Sequence, residues 1–481
     1  MTEKINDLQQ VQIKPLPIAI VLMIAAFIGL FSETALNMAF TNIMVDYQIE
    51  AHAVQWLTTG FLLVLGVLVP VSGLLIQWFS TRQLFAASLI FSIIGTLIGA
   101  LSISFPMLLI CRVIQAIGTA LLLPLMTNVI LLIFPANKRG SVMGLMGLVI
   151  MCAPAIGPTI SGLLIDQWGW HSIFWLSLPI LIITLVIGMA FMQNVSTITK
   201  PRIDFVSLLL STIGFGGVVY GFSSAGEGNG SWASPLVLFP IVIGVISLLL
   251  FSIRQLRSPE PMLDLRVFAH PMFSLGTIMV FLCMMMILSS AILLPLYLKG
   301  GLLLTALAAG LVLLPGGLIN GLMSPVTGRL FDRFGPRYLI IPGFVLTTIM
   351  TFLFTRVTTE TSSALIIFLH TVMLIGVAMI MMPAQTNGLN QLSKRHYPDG
   401  SAIMNTLSQI AGAIGTAVAI SLMAAGQSSY IPKEGMANTA IAAEALTTGV
   451  QTAFYLGLIA SIIGLILSFF VKRVYVENET K

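Results

Sequence analysis

Fourteen apolar runs, each about 20 residues long, follow one another along the 481-residue chain. A run of that length is typical of a helix that crosses a lipid bilayer, where the backbone must satisfy its own hydrogen bonds. Charged residues make up 8% of the sequence, against about 25% in a soluble domain. The sequence therefore predicts an all-α polytopic membrane protein. The predicted spans cover residues 17–40, 54–78, 83–103, 106–134, 141–165, 172–192, 205–223, 235–254, 272–297, 303–327, 338–356, 363–387, 400–424 and 450–471.

Basic residues alternate with these spans. If the N-terminus is cytoplasmic, almost all lysines and arginines fall in inner loops, for example at 138–139 and 329–337, whereas Lys299, Arg356 and Lys433 fall outside. Because cytoplasmic loops of membrane proteins are rich in lysine and arginine, this asymmetry favours an even number of spans. We expect both termini to be cytoplasmic.

Two loops in the chain resemble each other. Gly73–Arg82 reads GLLIQWFSTR and Gly328–Arg337 reads GRLFDRFGPR, and the two share Gly, Leu, Phe and Arg at matching positions. Similar loops far apart in a membrane protein indicate related halves. We predict an N-terminal six-helix bundle (1–196), a two-helix insert with its cytoplasmic joints (197–270) and a C-terminal six-helix bundle (271–481).

The first span contains a carboxylic acid, Glu33. An ionised carboxylate in the hydrocarbon costs on the order of 3 kcal/mol, so this group must meet a cation, line a wet cavity or take up a proton. Asn37 lies four residues on, on the same helical face. We predict that this face lines a transport pathway and that Glu33 binds and releases a proton. The alternative is a carboxylate in a solvated outer vestibule.

Arg112 lies inside the fourth span. Because arginine stays charged, it must face a cavity or pair with a polar partner, so it is either a functional residue or a structural anchor. Asp166, at the outer end of the fifth span, could cap the next helix or join a proton route. Other polar residues within spans could line a substrate cavity or join helices to one another: Asn37, Gln55, Gln115, Asn128, Asn320, Gln385, Asn387, Asn405 and Gln409.

Two groups of residues suggest conformational roles. The fifth span carries Pro154, Gly157, Pro158 and Gly162, which would make it bendable and closely packed. In the repeated loops, Asp332 could bind an arginine or a helix N-terminus in one state and release it in another, although its charges could also serve topology alone. The predicted loop residues are Gly73, Arg82, Gly328, Asp332, Arg333, Gly335 and Arg337.

Several function classes find no support in the sequence. There is no G-x-x-x-x-G-K-[ST] motif for ATP and no set of residues typical of an enzyme or metal site. The three cysteines, Cys111, Cys152 and Cys283, fall in apolar runs, and the net charge of +5 is scattered over short loops. We expect no enzyme activity, no nucleic-acid partner and no cofactor, with a proton gradient as the energy source.

Several motifs resemble the major facilitator superfamily, specifically its fourteen-helix drug:proton antiporter branch (EmrB/QacA type), and most of all the LmrB-like lincomycin-resistance exporters of Gram-positive bacteria. The loop signature G-x-L-x-D-R-x-G-x-R is complete at Gly328–Arg337, and R-x-x-Q-x-x-G occurs at 112–118. APAIGPTISG matches the fifth-span antiporter signature, and SETALNMAF matches that of the first span. The sequence departs from the family pattern at Gln77, Ser80 and His171, where aspartate, glycine and arginine are usual.

The resemblance implies a proton-coupled multidrug exporter that works by alternating access in the plasma membrane, with Arg112 contributing to proton transfer. The expected partners are amphipathic drugs, including cations, together with protons and membrane lipid, and the expected state is a monomer. One alternative is an exporter of an endogenous metabolite, signalling nucleotide or lipid. Another, less favoured because no soluble output domain is present, is a sensor without flux of its own.

Overall fold

The computed structural model describes residues 15–49, 51–196, 198–200, 204–226, 232–259, 261–431 and 438–474. Within these residues it contains 14 helices long and apolar enough to cross a membrane. The prediction of an all-α protein with fourteen membrane-length helices is confirmed. Three of the predicted site residues, Gln55, Pro158 and Asp166, have side chains that lie outside the described part of the structure.

The helices follow the predicted spans, and the structure adds a short helix, α2, after the first of them. Their bounds are α1 Pro15–Ala35, α2 Phe40–Tyr47, α3 Ala51–Trp78, α4 Thr81–Ala100, α5 Phe105–Ile133, α6 Ala136–Trp168, α7 Ser172–Phe191, α8 Phe205–Gly226, α9 Pro235–Arg257, α10 Pro271–Leu296, α11 Ala306–Phe334, α12 Arg337–Phe354, α13 Ser363–Asn390, α14 Tyr397–Ser428 and α15 Asn438–Ser468.

Capping explains one departure from the family motif. Ser80 precedes α4, and its hydroxyl accepts a hydrogen bond from the Gln83 backbone N–H at 3.3 Å, while the Gln83 side chain accepts one from the Ser80 N–H at 3.0 Å. This reciprocal capping box satisfies two donors at the start of a helix. In the matching loop, Gly335 instead ends α11 with φ +85°, a conformation that favours glycine.

Arginine and lysine residues gather at one end of the helical bundle, which we call the basic end: it contains the end of α3, the start of α6, the end of α11 and the start of α14. We call the opposite end the far end. Hydrogen bonds join loops within each end. At the far end, for example, Trp170 Nε1 donates to Asp46 Oδ2 at 2.7 Å, and the Tyr47 hydroxyl donates to the Ser102 carbonyl at 3.0 Å.

Helices α8 and α9 pack against each other through glycines. A methyl group at Gly217 would lie 3.1 Å from Gly244 Cα, so only small residues allow these backbones to approach so closely. Helix α8 also contacts α3, where Gly66 lies against Val219. At the basic end, Asp204 before α8 accepts hydrogen bonds from Arg254 of α9 at 2.5 and 3.0 Å. Many side chains of α9 are large, apolar and exposed, as expected for a lipid-facing helix.

Candidate transport site

Arg112 is buried in α5 and joins three helices. Its guanidinium donates to the carbonyls of Ser32 at 3.0 Å and Glu33 at 3.3 Å in α1, and to that of Leu57 at 3.1 Å in α3. Ser32 and Glu33 lie in the last turn of α1, where the helix passes into the 3-10 turn Leu36–Ala39. The positive guanidinium therefore links α1, α3 and α5 through their backbone carbonyls.

The same guanidinium has an aromatic and an amide neighbour. Its Cζ lies 4.3 Å from the centre of the Phe61 ring, a cation–π geometry. Nη1 also donates to Gln115 Oε1 at 3.3 Å, and Gln115 Nε2 donates to Thr96 Oγ1 of α4 at 3.0 Å. Gln115 was predicted to line the cavity. It is buried, and it carries the Arg112 network to a fourth helix instead.

The Glu33 carboxyl group lies within electrostatic range of Arg112. Only the Glu33 backbone carbonyl, however, accepts a hydrogen bond from the guanidinium. Among the described residues, the carboxyl oxygens of Glu33 form no hydrogen bond or ion pair with protein, and the side chain is half-buried. An acid beside a fixed positive charge, yet not bound by it, is available to a proton or to a polar cargo.

The antiporter-signature segment of α6 packs against α1 beside this acid. A methyl group at Gly157 would lie 2.4 Å from Thr34 Oγ1, so a larger residue fits only if the Thr34 side chain moves. By contrast, a methyl group at Gly162 would meet no atom within 4 Å. The close approach predicted for Gly162 is therefore not seen at that position, although the adjacent Ser161 is fully buried.

Asn37 lies in a short 3-10 turn, Leu36–Ala39, that continues α1. It is exposed, and its Oδ1 accepts a hydrogen bond from Thr58 Oγ1 of α3 at 2.8 Å. Asn37 and Glu33 thus present accessible polar groups on the same stretch of chain, near where α1 meets α3.

Asp332 of α11 contacts the start of α6. It accepts hydrogen bonds from the Gly140 N–H at 2.9 Å, the Ser141 N–H at 2.8 Å and the Ser141 hydroxyl at 2.6 Å. Of the two partners suggested by the sequence, an arginine or a helix N-terminus, the structure contains the second. The backbones touch as well: a methyl group at Gly328 would lie 2.1 Å from the Gly140 carbonyl oxygen.

The arginines of the repeated loops lie at the surface. Arg82, Arg333 and Arg337 are all exposed, and the side chain of Arg473, from the C-terminal segment, donates to the Asp332 carbonyl at 2.8 Å. In the first of the two loops, Gly73 packs against α14, 3.1 Å from Ala402 Cβ for an added methyl group. Asp332 is therefore the loop side chain that makes the charged contact across the basic end.

Arg139, which in the sequence is only one of the basic residues that indicate topology, has a structural role at the basic end. It is buried and its Nη1 donates to Asn390 Oδ1 at 3.0 Å and to the Tyr397 hydroxyl at 2.9 Å, while its Nη2 donates to the Leu131 carbonyl at 2.7 Å. The guanidinium also lies over the Tyr397 ring. No local pattern could have revealed this role, because Asn390 is 251 residues away along the chain.

The hydrogen bonds between the N-terminal and C-terminal helices lie at the basic end. Every hydrogen bond that joins described residues 15–196 to described residues 271–474 involves Arg139, Gly140 or Ser141, all at the basic end. The structure therefore shows a bundle closed at the basic end, with no such bond across the far end, where Glu33 and Asn37 lie.

The remaining predicted cavity residues differ in their environments. Asn128 is fully buried with neither amide atom hydrogen-bonded in the described structure, and Asn320 Oδ1 is likewise buried without a partner. Asn405 bonds to its own helix at Ser401. Asn387, predicted either to line a cavity or to join segments, makes contacts of the second kind: its Nδ2 donates to the Lys472 carbonyl at 3.0 Å and its Oδ1 accepts from the Val474 N–H at 3.1 Å. It anchors the C-terminal segment. Gln385 is buried and Gln409 half-buried.

Fourteen membrane-length helices, a half-buried acid beside a buried arginine, and a bundle joined by hydrogen bonds at one end define a polytopic helical transporter. The chain belongs to the Major Facilitator Superfamily, whose family model matches residues 22–416. The family predicted from the sequence motifs is confirmed.

Curated relatives align over nearly the whole chain. The lincomycin resistance protein LmrB of Bacillus subtilis is 63% identical over 97% of this chain and 98% of its own length. LmrB of Listeria innocua is 60% identical over 96% of this chain and 98% of its own length. The multidrug export protein EmrB of Haemophilus influenzae is 28% identical over 83% of this chain and 79% of its own length.

A solved structure has the same fold. The human organic anion transporter MFSD10 (TETRAN) superposes with a TM-score of 0.66, covering 94% of this chain and 100% of that one. The two sequences are 13% identical, so this similarity concerns the fold alone.

Proposed function

We propose that this protein exports amphipathic drugs across the cell membrane in exchange for protons, and that Glu33 is the site where the two compete. The observation that carries the proposal is the free Glu33 carboxyl group beside a guanidinium already engaged by backbone carbonyls. The names of the relatives, lincomycin resistance proteins, support drug efflux and suggest lincomycin as the first cargo to test.

We take the basic end as cytoplasmic, in line with the positive-inside rule. In this orientation the structure faces outward and both termini are inside. Glu33 can then receive a proton from the exterior, and loading it favours the return to an inward-facing state in which the proton leaves and a drug enters. Alternating access of this kind needs one site reached in turn from each side.

The proton gradient supplies enough free energy for this exchange. One charge that moves through 100 mV provides about 2.3 kcal/mol. Since a tenfold concentration ratio corresponds to about 1.4 kcal/mol, each proton supports a drug gradient of roughly fifty-fold. We therefore propose no cofactor, and retain a monomer in lipid as the working unit.

Export of an anionic metabolite or nucleotide fits the site less well. Such a cargo needs a cation free to bind it, and Arg112 is the buried cation at this site. Its guanidinium already donates to three carbonyls and one amide oxygen. A cationic or neutral cargo that approaches Glu33 requires no such bond to break.

The test is efflux from proteoliposomes driven by an imposed pH gradient, comparing the parent with Glu33→Gln. We expect Glu33→Gln to lose pH-driven lincomycin efflux, because the amide retains the size of the acid but takes up no proton. Glu360→Gln is the matched control, since Glu360 is exposed at the far end; it should export at the parental rate. Coupled efflux by Glu33→Gln would remove Glu33 as the exchange site.

A further inference from the structure

A second carboxylic acid is buried at the basic end, outside the site described above. Asp399 lies in the first turn of α14 with 5% of its surface exposed. The backbone of Asp264 lies close enough to interact with its carboxyl group. Its Oδ1 atom is buried and has no hydrogen-bond partner in the described structure.

The chain around Asp399 forms part of the closed contact at the basic end. The preceding Tyr397 accepts a hydrogen bond from Arg139. A methyl group added at Gly73 of α3 would lie 3.4 Å from the Pro398 carbonyl oxygen and 3.1 Å from Ala402 Cβ. Residues on both sides of Asp399 thus touch the N-terminal helices, so separating those helices from α14 would bring water to the acid.

The charged groups that face Asp399 do not neutralise it. Asp264, in the segment before α10, and the exposed Arg395, in the turn before α14, both interact with it electrostatically, with opposite signs. His396 lies 3.5 Å from the Asp264 carboxylate rather than from Asp399. The Arg139 guanidinium bonds to Tyr397, and α3 contributes Gly73 at this contact.

An ionised carboxylate in this environment would be costly. Burial of an unpaired charge costs several kcal/mol, so the neutral form is favoured while the contact stays closed. One free oxygen is too few for a metal ion such as Ca²⁺, which takes about six to eight oxygen ligands. The ligand that fits a single buried carboxyl oxygen is a proton.

We propose that Asp399 is a second proton-binding site, one that holds a proton while the basic end is closed and releases it when that end opens. The proposal rests on the alternating access inferred above. Because the proton leaves to and returns from the same compartment, it adds nothing to net exchange. It makes the conformational balance respond to pH at the basic end: acid favours the closed form, and alkali favours the open form.

Linkage fixes the size of the effect. If the closed form binds one proton more than the open form, the open-to-closed ratio rises up to about tenfold per pH unit. The ratio changes with pH in this way only over the pH range in which Asp399 is protonated in the closed form and ionised in the open form.

The experiment measures the width of the basic end in the full-length protein with two spin labels, at Lys138→Cys and Tyr338→Cys. Both positions are exposed, and the three native cysteines are buried. The background is Glu33→Gln, so that the exchange site no longer titrates. Between about pH 5.5 and 8.5, we expect the open fraction to rise with pH when Asp399 is present, and to stay low and flat in Asp399→Asn.

Two further variants complete the test. Asp399→Glu should restore the slope, which separates loss of titration from loss of fold. His396→Gln removes the nearby imidazole and should keep the slope. The proposal is overturned if Asp399→Asn keeps the pH response, or if the Glu33→Gln background shows none. The spin-label distances test the role of Asp399 without measuring drug efflux. The role of Glu33 is tested separately by the efflux assay, so the two proposals can fail independently.

Discussion

At the scale of single residues, Arg112 shows how a charge is kept inside a membrane protein. Its guanidinium donates hydrogen bonds to two backbone carbonyls in the last turn of α1, and its planar face lies over the Phe61 ring. We expect Arg112→Lys to lower both the denaturation temperature and drug efflux, because lysine keeps the charge but lacks the planar fork. The loss of two charge-assisted hydrogen bonds is worth about 3 kcal/mol. Thermal denaturation in detergent and proteoliposome efflux measure the two effects.

Arg356→Lys is the matched control for this change. Arg356 is exposed at the far end and lies over Phe352, so the same substitution there should leave both measurements near the parental values. If Arg112→Lys behaved like Arg356→Lys, the carbonyl contacts of Arg112 would not be needed for stability or transport.

At the scale of helices, closure of the basic end depends on glycines, which have no side chain, at the contact between two helices. Helices α6 and α11 meet at Gly140 and Gly328, whose backbones leave no room for a methyl group. We expect Gly328→Val to prevent closure of the basic end, because its side chain would collide with the Gly140 carbonyl. Efflux should be lost, and spin labels at the basic end should report a wider separation.

The control lies on the same helix. A methyl group at Gly310 of α11 would meet no atom within 4 Å. The Gly310→Ala variant should therefore close its basic end and transport drug normally. If Gly328→Val closed to the parental distance, the close approach of Gly140 and Gly328 would not be needed for closure of the basic end.

At the scale of the whole molecule, Asp332 links the end of α11 to the start of α6. Its negative charge lies where the helix dipole is positive, an interaction worth about 0.3–2 kcal/mol. We therefore expect Asp332→Asn to shift the balance toward the open basic end by roughly two- to thirty-fold. The same spin-label pair measures this shift at fixed pH.

Asp204→Asn is a suitable comparison for Asp332→Asn. Its hydrogen bond with Arg254 holds the pKa of Asp204 well below its ordinary value, so Asp204 is also ionised. This pair lies at the basic end but joins only α8 and α9. A shift as large with Asp204→Asn as with Asp332→Asn would indicate a general effect of surface charge rather than a contact between α6 and α11.

Much of the molecule is predictable from local sequence. Apolar runs locate the helices because insertion into lipid depends on the summed hydropathy of about 20 consecutive residues. Glu33, Arg112 and Asp332 could be identified because a charge within or beside such a run is costly unless it has a partner or a function. Asp399 carried no comparable signal, since it follows a polar loop and looks like an ordinary residue at a helix start.

The sequence alone therefore determined that the chain crosses the membrane as fourteen helices, and which charged residues lie within or beside them. Only the tertiary structure decided which partners these charges and the buried amides have: carbonyls of α1 and α3 for Arg112, amides of α6 for Asp332, and the C-terminal segment for the neutral Asn387. The physical reason is distance along the chain. Hydropathy is a sum over neighbouring residues, whereas a hydrogen bond across the bundle joins groups that come together only after the helices have packed.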